Sequence, residues 1–186
     1  WKDSNRDGTI TDDDKVYLGS PLPKYTFSFT LNMDYKGFDL MVFTQGAAGN
    51  KIFQGLRRLD MSNANYQTDV LNRWTGEGTS NSYPRISSSD GNGNFTKMSD
   101  FYLEDGDYLR LKVVQLGYSL PQSIISKVGL QKLRLYVTGE NLLTLTKYTG
   151  YDPEVSSYEQ NNLYPGIDFG SYPNSKTFIS GLNVTF

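Results

Sequence analysis

The sequence predicts an all-β fold of antiparallel strands, and three observations support this prediction. Stretches of alternating apolar and polar residues recur along the chain. Tyr, Phe and Trp together make up 14% of the residues and glycine is plentiful, a composition that favours strands and turns over a helical bundle. The connections between the alternating stretches are short and long in turn, as in a meander whose successive turns lie at opposite ends of the sheet.

Five stretches carry the period of two that is typical of strands. They are residues 24–34, 38–46, 107–118, 132–141 and 175–186. In the first, Phe27, Phe29 and Leu31 lie on one face, and Ser28 and Thr30 lie on the other. In the third, Leu109, Leu111 and Val113 alternate with polar residues before the apolar phase shifts to Val114, Leu116 and Tyr118, and such a shift predicts a β-bulge.

The lengths of the connections separate the two ends of the predicted sheet. Residues 47–106 and 142–174 form the two long connections, and the first of them has ~60 residues, whereas loops beyond ~12–15 residues are uncommon in compact domains. Residues 1–23 fall at this same end, and the short turns lie at the other. Strands near the ~9–11 residues that cross a bilayer, with one apolar and one polar face, are typical of a transmembrane β-barrel.

A soluble antiparallel sandwich shows the same alternation, with its apolar face turned inward. The two folds differ in what covers that face: lipid in the barrel, a second sheet in the sandwich. Five strands cannot close a barrel, and open sheet edges are not tolerated in lipid. The barrel interpretation therefore requires that this chain be part of a larger barrel.

Composition excludes several functional classes. The chain contains no histidine and no cysteine, which excludes hydrolases with a histidine base, disulfide frameworks and most zinc sites. The net charge of −2 provides no field that would attract nucleic acid. We therefore expect no nucleic-acid partner.

Residues 3–14, DSNRDGTITDDD, have the spacing of a calcium-binding loop. A hard cation takes oxygen ligands from alternate positions of a sharply turning loop, here with Gly8 at the turn. The predicted ligands of a structural calcium site are Asp3, Asn5, Asp7, the Thr9 carbonyl and Asp14. The alternative is a polar turn with solvated acidic residues, since the following KVYLGSPLP is a poor helix and an EF-hand needs one on each side.

The final stretch, KTFISGLNVTF, ends in phase on an aromatic residue. In bacterial outer-membrane proteins the insertion machinery reads a final strand of this kind. The predicted assembly signal comprises Phe178, Gly181, Leu182, Val184 and Phe186.

Several motifs in order along the chain resemble the C-terminal end of SusC/RagA-family TonB-dependent transporters. They are DSNRDGTITDDDKVYLGSPLPKYTFSFTLNMDYKGFDLMVFTQGAAGNKIF, RWTGEG, YPRIS, EDGDYLRLKVVQLGYSLP, LRLYVTGENLLTLTKYTGYDPEV and PGIDFGSYPNSKTFISGLNVTF. The resemblance implies the last five strands of an outer-membrane barrel of about 22 strands. Residues 1–23 would form an extracellular loop with the calcium-loop-like motif, and residues 24–186 the C-terminal strands and loops of the barrel.

The resemblance also implies a function and partners. Family members import oligosaccharides or peptides across the outer membrane of Gram-negative bacteria, and a SusD-like surface lipoprotein captures the substrate. A plug and a TonB-contacting segment would lie in an N-terminal region absent here, and the remainder of the same barrel and membrane lipid would surround these strands. Transport is driven by TonB, so no catalytic residue is expected.

Two other functions remain open at the level of sequence. One is a secreted, calcium-stabilised β-sandwich that binds carbohydrate. The other is a glycosidase, for which the carboxylate candidates are Asp152, Glu154 and Asp168. Aromatic residues of the second long connection could stack on sugar rings, contact the lipoprotein or pack the loop against itself: Tyr148, Tyr151, Tyr158, Tyr164, Phe169 and Tyr172.

Overall fold

The structure, a computed structural model, describes residues 1–57, 65–155 and 163–186. Its strands are β1 Tyr25–Tyr35, β2 Phe38–Ala48, β3 Lys51–Gln54, β4 Leu103–Asp105, β5 Tyr108–Ser119, β6 Lys132–Thr146, β7 Ile167–Asp168 and β8 Thr177–Thr185. One short α-helix, α1, covers Gln122–Ile125, and 3-10 turns cover Asp12–Asp14, Thr68–Asn72, Asp100–Tyr102 and Ser126–Val128. Within the described ranges, no helix has both the length and the apolar character needed to span a membrane.

The long strands form a 5-stranded sheet in the order β1-β2-β5-β6-β8, and each neighbouring pair is antiparallel. This confirms the five predicted strands and their meander. The β1–β2 turn is tight because Lys36 and Gly37 both adopt positive φ, 48° and 88°, the backbone that a two-residue hairpin turn requires.

The strand register gathers the apolar residues on one continuous face. Leu31 pairs with Val42, which in turn pairs with Val114. Further along, Leu116 pairs with Val137, and Leu135 pairs with Leu182. The opposite face is polar, with the Arg134 guanidinium reaching across β5 to the Asp39 carboxylate and donating to Gln115 Oε1 at 2.9 Å.

The predicted bulge is present and lies at Lys112. The pairing of β5 with β2 and with β6 skips this residue, so Val113 pairs with Phe43 on one side and Glu140 on the other. Val113 therefore lies on the polar face, and its predicted alignment with Leu109 and Leu111 is wrong. The extra residue inverts the side-chain direction beyond it.

Strand β6 is longer than the predicted 132–141 and continues to Thr146. Asn141 adopts a left-handed φ of 52° opposite the β5 bulge. The resulting irregularity interrupts the alternation, and the period of two resumes with Leu143 and Leu145, which pair with Leu111 and Leu109.

The apolar face of the large sheet is exposed, and within the described parts of the chain no second sheet lies over it. Phe29, Leu116 and Leu182 are 61%, 45% and 62% exposed. A sandwich would bury these residues, so the secreted carbohydrate-binding sandwich is not the fold of this chain. Most of the buried apolar side chains among the described residues belong to the long connections: Ile52, Phe95, Tyr102 and Tyr148.

The long connections fold together at one end of the large sheet. There β3 pairs antiparallel with β4 and parallel with β7, in a 3-stranded sheet. The N-terminal segment joins the same end, since Lys51 N donates to Ser20 O at 2.8 Å and Trp1 Nε1 donates to Asn92 O at 2.8 Å. We call the described residues of 1–24, 49–107 and 147–176 the loop layer.

Candidate functional site: the loop layer

An aromatic cluster supports the connection between β2 and β5. Its rings lie 5.1 to 6.2 Å apart between centroids and comprise Phe53, Tyr66, Tyr83, Phe95, Phe101, Tyr102 and Phe169. The Arg57 guanidinium carbon lies 4.3 Å from the Tyr66 ring centroid, and Arg57 donates to the Phe95 carbonyl at 3.0 Å. Burial raises the pKa of Tyr102 to about 12. The long connection thus has a core of its own, which explains its tolerated length.

A buried ionic cluster ties the connection between β6 and β8 to the large sheet. Arg110 on β5 is 2% exposed. It donates to Asp152 Oδ1 at 2.5 Å and to Glu154 Oε2 at 2.7 Å. Lys112 Nζ and the Tyr108 hydroxyl each donate to the Glu154 carboxylate at 2.9 Å. Two cations from one strand therefore neutralise two carboxylates from one loop.

Asp152 also organises the loop backbone. It accepts hydrogen bonds from the backbone N–H groups of Glu154 and Asn174, both at 2.9 Å. Burial raises the pKa of Asp152, but the hydrogen bonds from Arg110, Glu154 and Asn174 outweigh that effect, and the pKa is lowered overall. The carboxylate is held ionised and fixes both ends of the loop.

Asp168 forms a second buried anchor and is 0% exposed. Its carboxylate accepts hydrogen bonds from the Tyr148 hydroxyl at 2.6 Å and from the N–H groups of Gly170 and Ser171 at 2.9 and 2.8 Å. Burial, and then the hydrogen bond to Asp168, raise the pKa of Tyr148. Asp152, Glu154 and Asp168, the carboxylates of the glycosidase hypothesis, are thus all engaged in holding loops.

The predicted aromatic contact residues divide into two groups. Tyr148 is buried and supports the loop, while Phe169 packs against Phe53. Tyr151, Tyr164 and Tyr172 are 67%, 52% and 89% exposed and present their rings at the surface of the loop layer. Tyr158 lies outside the described residues.

The calcium-loop-like segment closes on its own carboxylates. Asp14 accepts hydrogen bonds from the backbone N–H groups of Ser4, Asn5 and Thr11 at 2.6, 3.3 and 2.8 Å. These bonds, led by the one from Thr11, lower its pKa. Asp3 accepts from two N–H groups that lie two residues apart in the loop, those of Arg6 at 2.6 Å and Gly8 at 2.8 Å.

At the centre of the loop, Asp7 likewise accepts hydrogen bonds from neighbouring residues of the same loop. Asp7 accepts from both the N–H and the hydroxyl of Thr9 at 2.8 and 2.7 Å, and Asn5 Nδ2 donates to Asp7 at 2.8 Å. The hydroxyl of Thr9 leads the bonds that lower the pKa of Asp7. Across the described ranges, no group of three or more His, Cys, Asp or Glu side chains converges as a metal site would require. The loop is compact and anionic, and its calcium site stays a prediction.

The predicted assembly residues all belong to β8 or follow it. Phe178, Leu182 and Val184 are exposed on the apolar face, and Phe186 follows the strand. Gly181 lies on the polar face under the Tyr136 ring, so close that a Cβ at this position would lie 2.5 Å from ring atoms. Their role in assembly stays a prediction.

The sequence did not indicate the Arg110 cluster or the Arg134 network. Arg110 and Lys112 alternate with leucines on β5, which marks a charged face, but this pattern does not identify the carboxylates that pair with it. The partners lie 42 or 44 residues away in the chain, so the pairing requires the folded loop.

No protein-family model matches the chain, but individual proteins do. It is 39% identical to TonB-dependent receptor P3 of Formosa agariphila, over 100% of this chain and 19% of that protein. It is 30% identical to TonB-dependent receptor SusC of Bacteroides thetaiotaomicron, over 99% of this chain and 17% of that protein. The solved RagAB peptide importer in its open-open state matches 96% of the chain with a TM-score of 0.75 and 26% identity.

The chain belongs to the SusC/RagA family of TonB-dependent receptors. It spans about a fifth of the length of the relatives that it matches, 19% of the Formosa protein. Membership in the family identifies the large sheet as wall of an outer-membrane barrel, and the matched relatives are receptors and importers. The exposed apolar face of this sheet is what a membrane-facing wall requires, since lipid covers it.

Proposed function

We propose that the full-length protein imports oligosaccharides or peptides across the outer membrane as a TonB-dependent transporter. The observation that carries this proposal is the polarity of the large sheet. Its apolar face is exposed, and its opposite face carries the Arg134–Asp39 and Arg110–Asp152 ion pairs. A wall between lipid and a hydrated lumen has this arrangement. The SusC name of one relative and the RagAB peptide-importer match support it.

The loop layer would lie on the extracellular side and receive the substrate. A SusD-like lipoprotein is the proposed partner there, and the exposed rings of Tyr151, Tyr164 and Tyr172 are the proposed contacts with it or with the substrate. Aromatic side chains suit both roles because they bring a large rigid area at low entropy cost. The buried anchors at Arg110 and Asp168 would hold these rings in place.

Growth of a deletion strain complemented with the full-length protein tests the proposal. The strain would be grown on single oligosaccharides or peptides as the limiting nutrient, in the presence and absence of TonB. We expect growth on a member of one of these classes to require both the protein and TonB. Growth on every oligosaccharide and peptide without the protein, or uptake that does not depend on TonB, would contradict the proposal.

The aromatic contacts can be tested separately by substituting Tyr151 and Tyr172 with alanine. We expect lower substrate uptake or less co-purified lipoprotein with an unchanged amount of barrel. Tyr17→Ala is the matched control, since Tyr17 is also an exposed tyrosine, 83% accessible, in the N-terminal segment. Equal effects of all three substitutions would show that these rings have no specific role.

A further inference from the structure

An apolar groove interrupts the membrane-facing side of the large sheet. It has a volume of about 370 Å³ and lies across β5, β6 and β8. Its apolar walls are formed mainly by Val114, Leu116, Val137, Leu142 and Phe178. The groove is shallow and open toward the bilayer, since Phe178 and Val137 in its lining are themselves exposed.

Two small residues and the strand irregularity produce the groove. Gly139 pairs with Val114 on one side and Phe178 on the other, and the Leu142 side chain occupies the space over it and borders the groove. Ser180 pairs with Val137 and leaves a recess. Leu142, displaced by the irregularity, lies over Gly139, where a Cβ would be 2.9 Å from both of its methyl carbons.

We propose that this groove binds one acyl chain of an outer-membrane phospholipid. The groove is continuous with the face that the bilayer covers, and its walls carry no charged side chain. A flexible hydrocarbon chain can follow such a recess. Lipid tails are as apolar as the groove itself, so binding depends on shape and on the packing contacts that an unfilled recess would lose.

Native mass spectrometry of the delipidated full-length protein, titrated with palmitoyl-oleoyl-phosphatidylethanolamine, tests the proposal. We expect one lipid to stay bound under activation conditions that remove the others. Ser180→Leu should fill the recess and weaken retention of that lipid about tenfold. Thr44→Leu is the matched control because Thr44 lies on the same face, paired with Phe29 and Leu111, away from the groove.

A second substitution keeps the proposal testable if Ser180→Leu prevents the barrel from assembling. Val137→Phe fills the groove from one of its walls, and it should reproduce the loss if Ser180→Leu does not assemble. Equal lipid retention by the wild type, the groove variants and Thr44→Leu would overturn the proposal. So would a wild-type dimer that Ser180→Leu dissociates, because the groove would then be an interface between two copies.

Discussion

At the scale of single residues, Arg110 shows how a loop is fixed to a membrane-facing sheet. A buried guanidinium is costly unless its charge is paired and its N–H groups are bonded. The loop supplies two carboxylates to Arg110, from Asp152 and Glu154. Removing one carboxylate therefore leaves a partly compensated cation in a site that water does not reach.

Asp152→Asn should loosen the connection between β6 and β8. The asparagine keeps the size of the side chain but removes its charge, and we expect a cost toward the lower end of the ~3–5 kcal/mol found when one partner of a buried pair is lost, since Glu154 still pairs with Arg110. Hydrogen exchange of the Glu154 and Asn174 N–H groups measures the effect.

The control for this substitution is Asp12→Asn. Asp12 pairs with Lys15, but both side chains are largely exposed, 93% and 77%, and such pairs contribute only about 0–1 kcal/mol. Faster exchange in the Asp12 variant, or none in the Asp152 variant, would show that the buried cluster is not what holds the loop.

The same anchor should depend on pH in a definite direction. The pKa of Asp152 is lowered in the folded loop, so its stabilising contribution is present above the unfolded value of about 3.9 and is lost as the pH falls through the lower folded value. We expect exchange at Glu154 and Asn174 to be constant at neutral pH and to accelerate below about pH 4. Acceleration on raising the pH toward 8, after correction for intrinsic exchange rates, would contradict this assignment.

At the scale of elements, the long strands could be predicted from sequence and the small sheet could not. Strands β1, β2, β5, β6 and β8 each contain several alternating apolar residues, and that periodicity identifies them. Strands β3, β4 and β7 have 4, 3 and 2 residues, too few to show a period. Their pairing of Phe53 with Ile167 joins segments that are far apart in the chain.

The face of the sheet on which a side chain lies, and its partners there, were harder to predict than the strands themselves. Side chains alternate between the two faces on both sides of the bulge in β5. The extra residue at Lys112 inverts which face each side chain takes, and so places Val113 on the polar face. The phase shift indicated a bulge without giving its position. The buried anchors at Arg110 and Asp168 depend on loop geometry, so alternation along a strand could not predict them.

Strand β8 is expected to depend on the fit between Gly181 and Tyr136. A Cβ at position 181 would lie 2.5 Å from atoms of the Tyr136 ring, so Gly181→Val should reduce the amount of assembled barrel, measured by its heat-modifiable migration. Tyr136→Ala in the same chain removes the ring and should restore assembly in part. If the double variant assembles no better than Gly181→Val, the ring is not the cause.

The segment of residues 3–14 is expected to respond to calcium. Asp3, Asp7 and Asp14 place three carboxylates in one exposed loop, and a bound cation would relieve their repulsion. We expect millimolar calcium to slow proteolysis of this segment, and Asp7→Asn to weaken that effect. Magnesium is the control ion, because it prefers a smaller octahedral site. Equal cleavage with and without calcium would leave the segment as a polar turn.

At the scale of the whole molecule, the two ends of the large sheet differ in structure and its two faces differ in polarity. Short turns lie at one end and a folded loop layer at the other, and one face is apolar while the other is polar. The loop layer contains most of the buried apolar side chains described, so it has a core independent of lipid. Among the described residues, the five strands of the large sheet contribute only Ala47 to the buried apolar side chains, and their apolar face depends on the bilayer for cover.

This difference predicts unequal effects for neighbouring residues of β1. Phe29 lies on the apolar face, and Phe29→Arg should destabilise the full-length barrel in lipid by about 2–4 kcal/mol, the cost of arginine near the bilayer midplane. Ser28 lies on the polar face, so Ser28→Arg should cost much less. The free energies of unfolding would be measured by denaturant titration in lipid vesicles. Equal costs for the two substitutions, or a larger one at Ser28, would mean that the apolar face does not meet lipid.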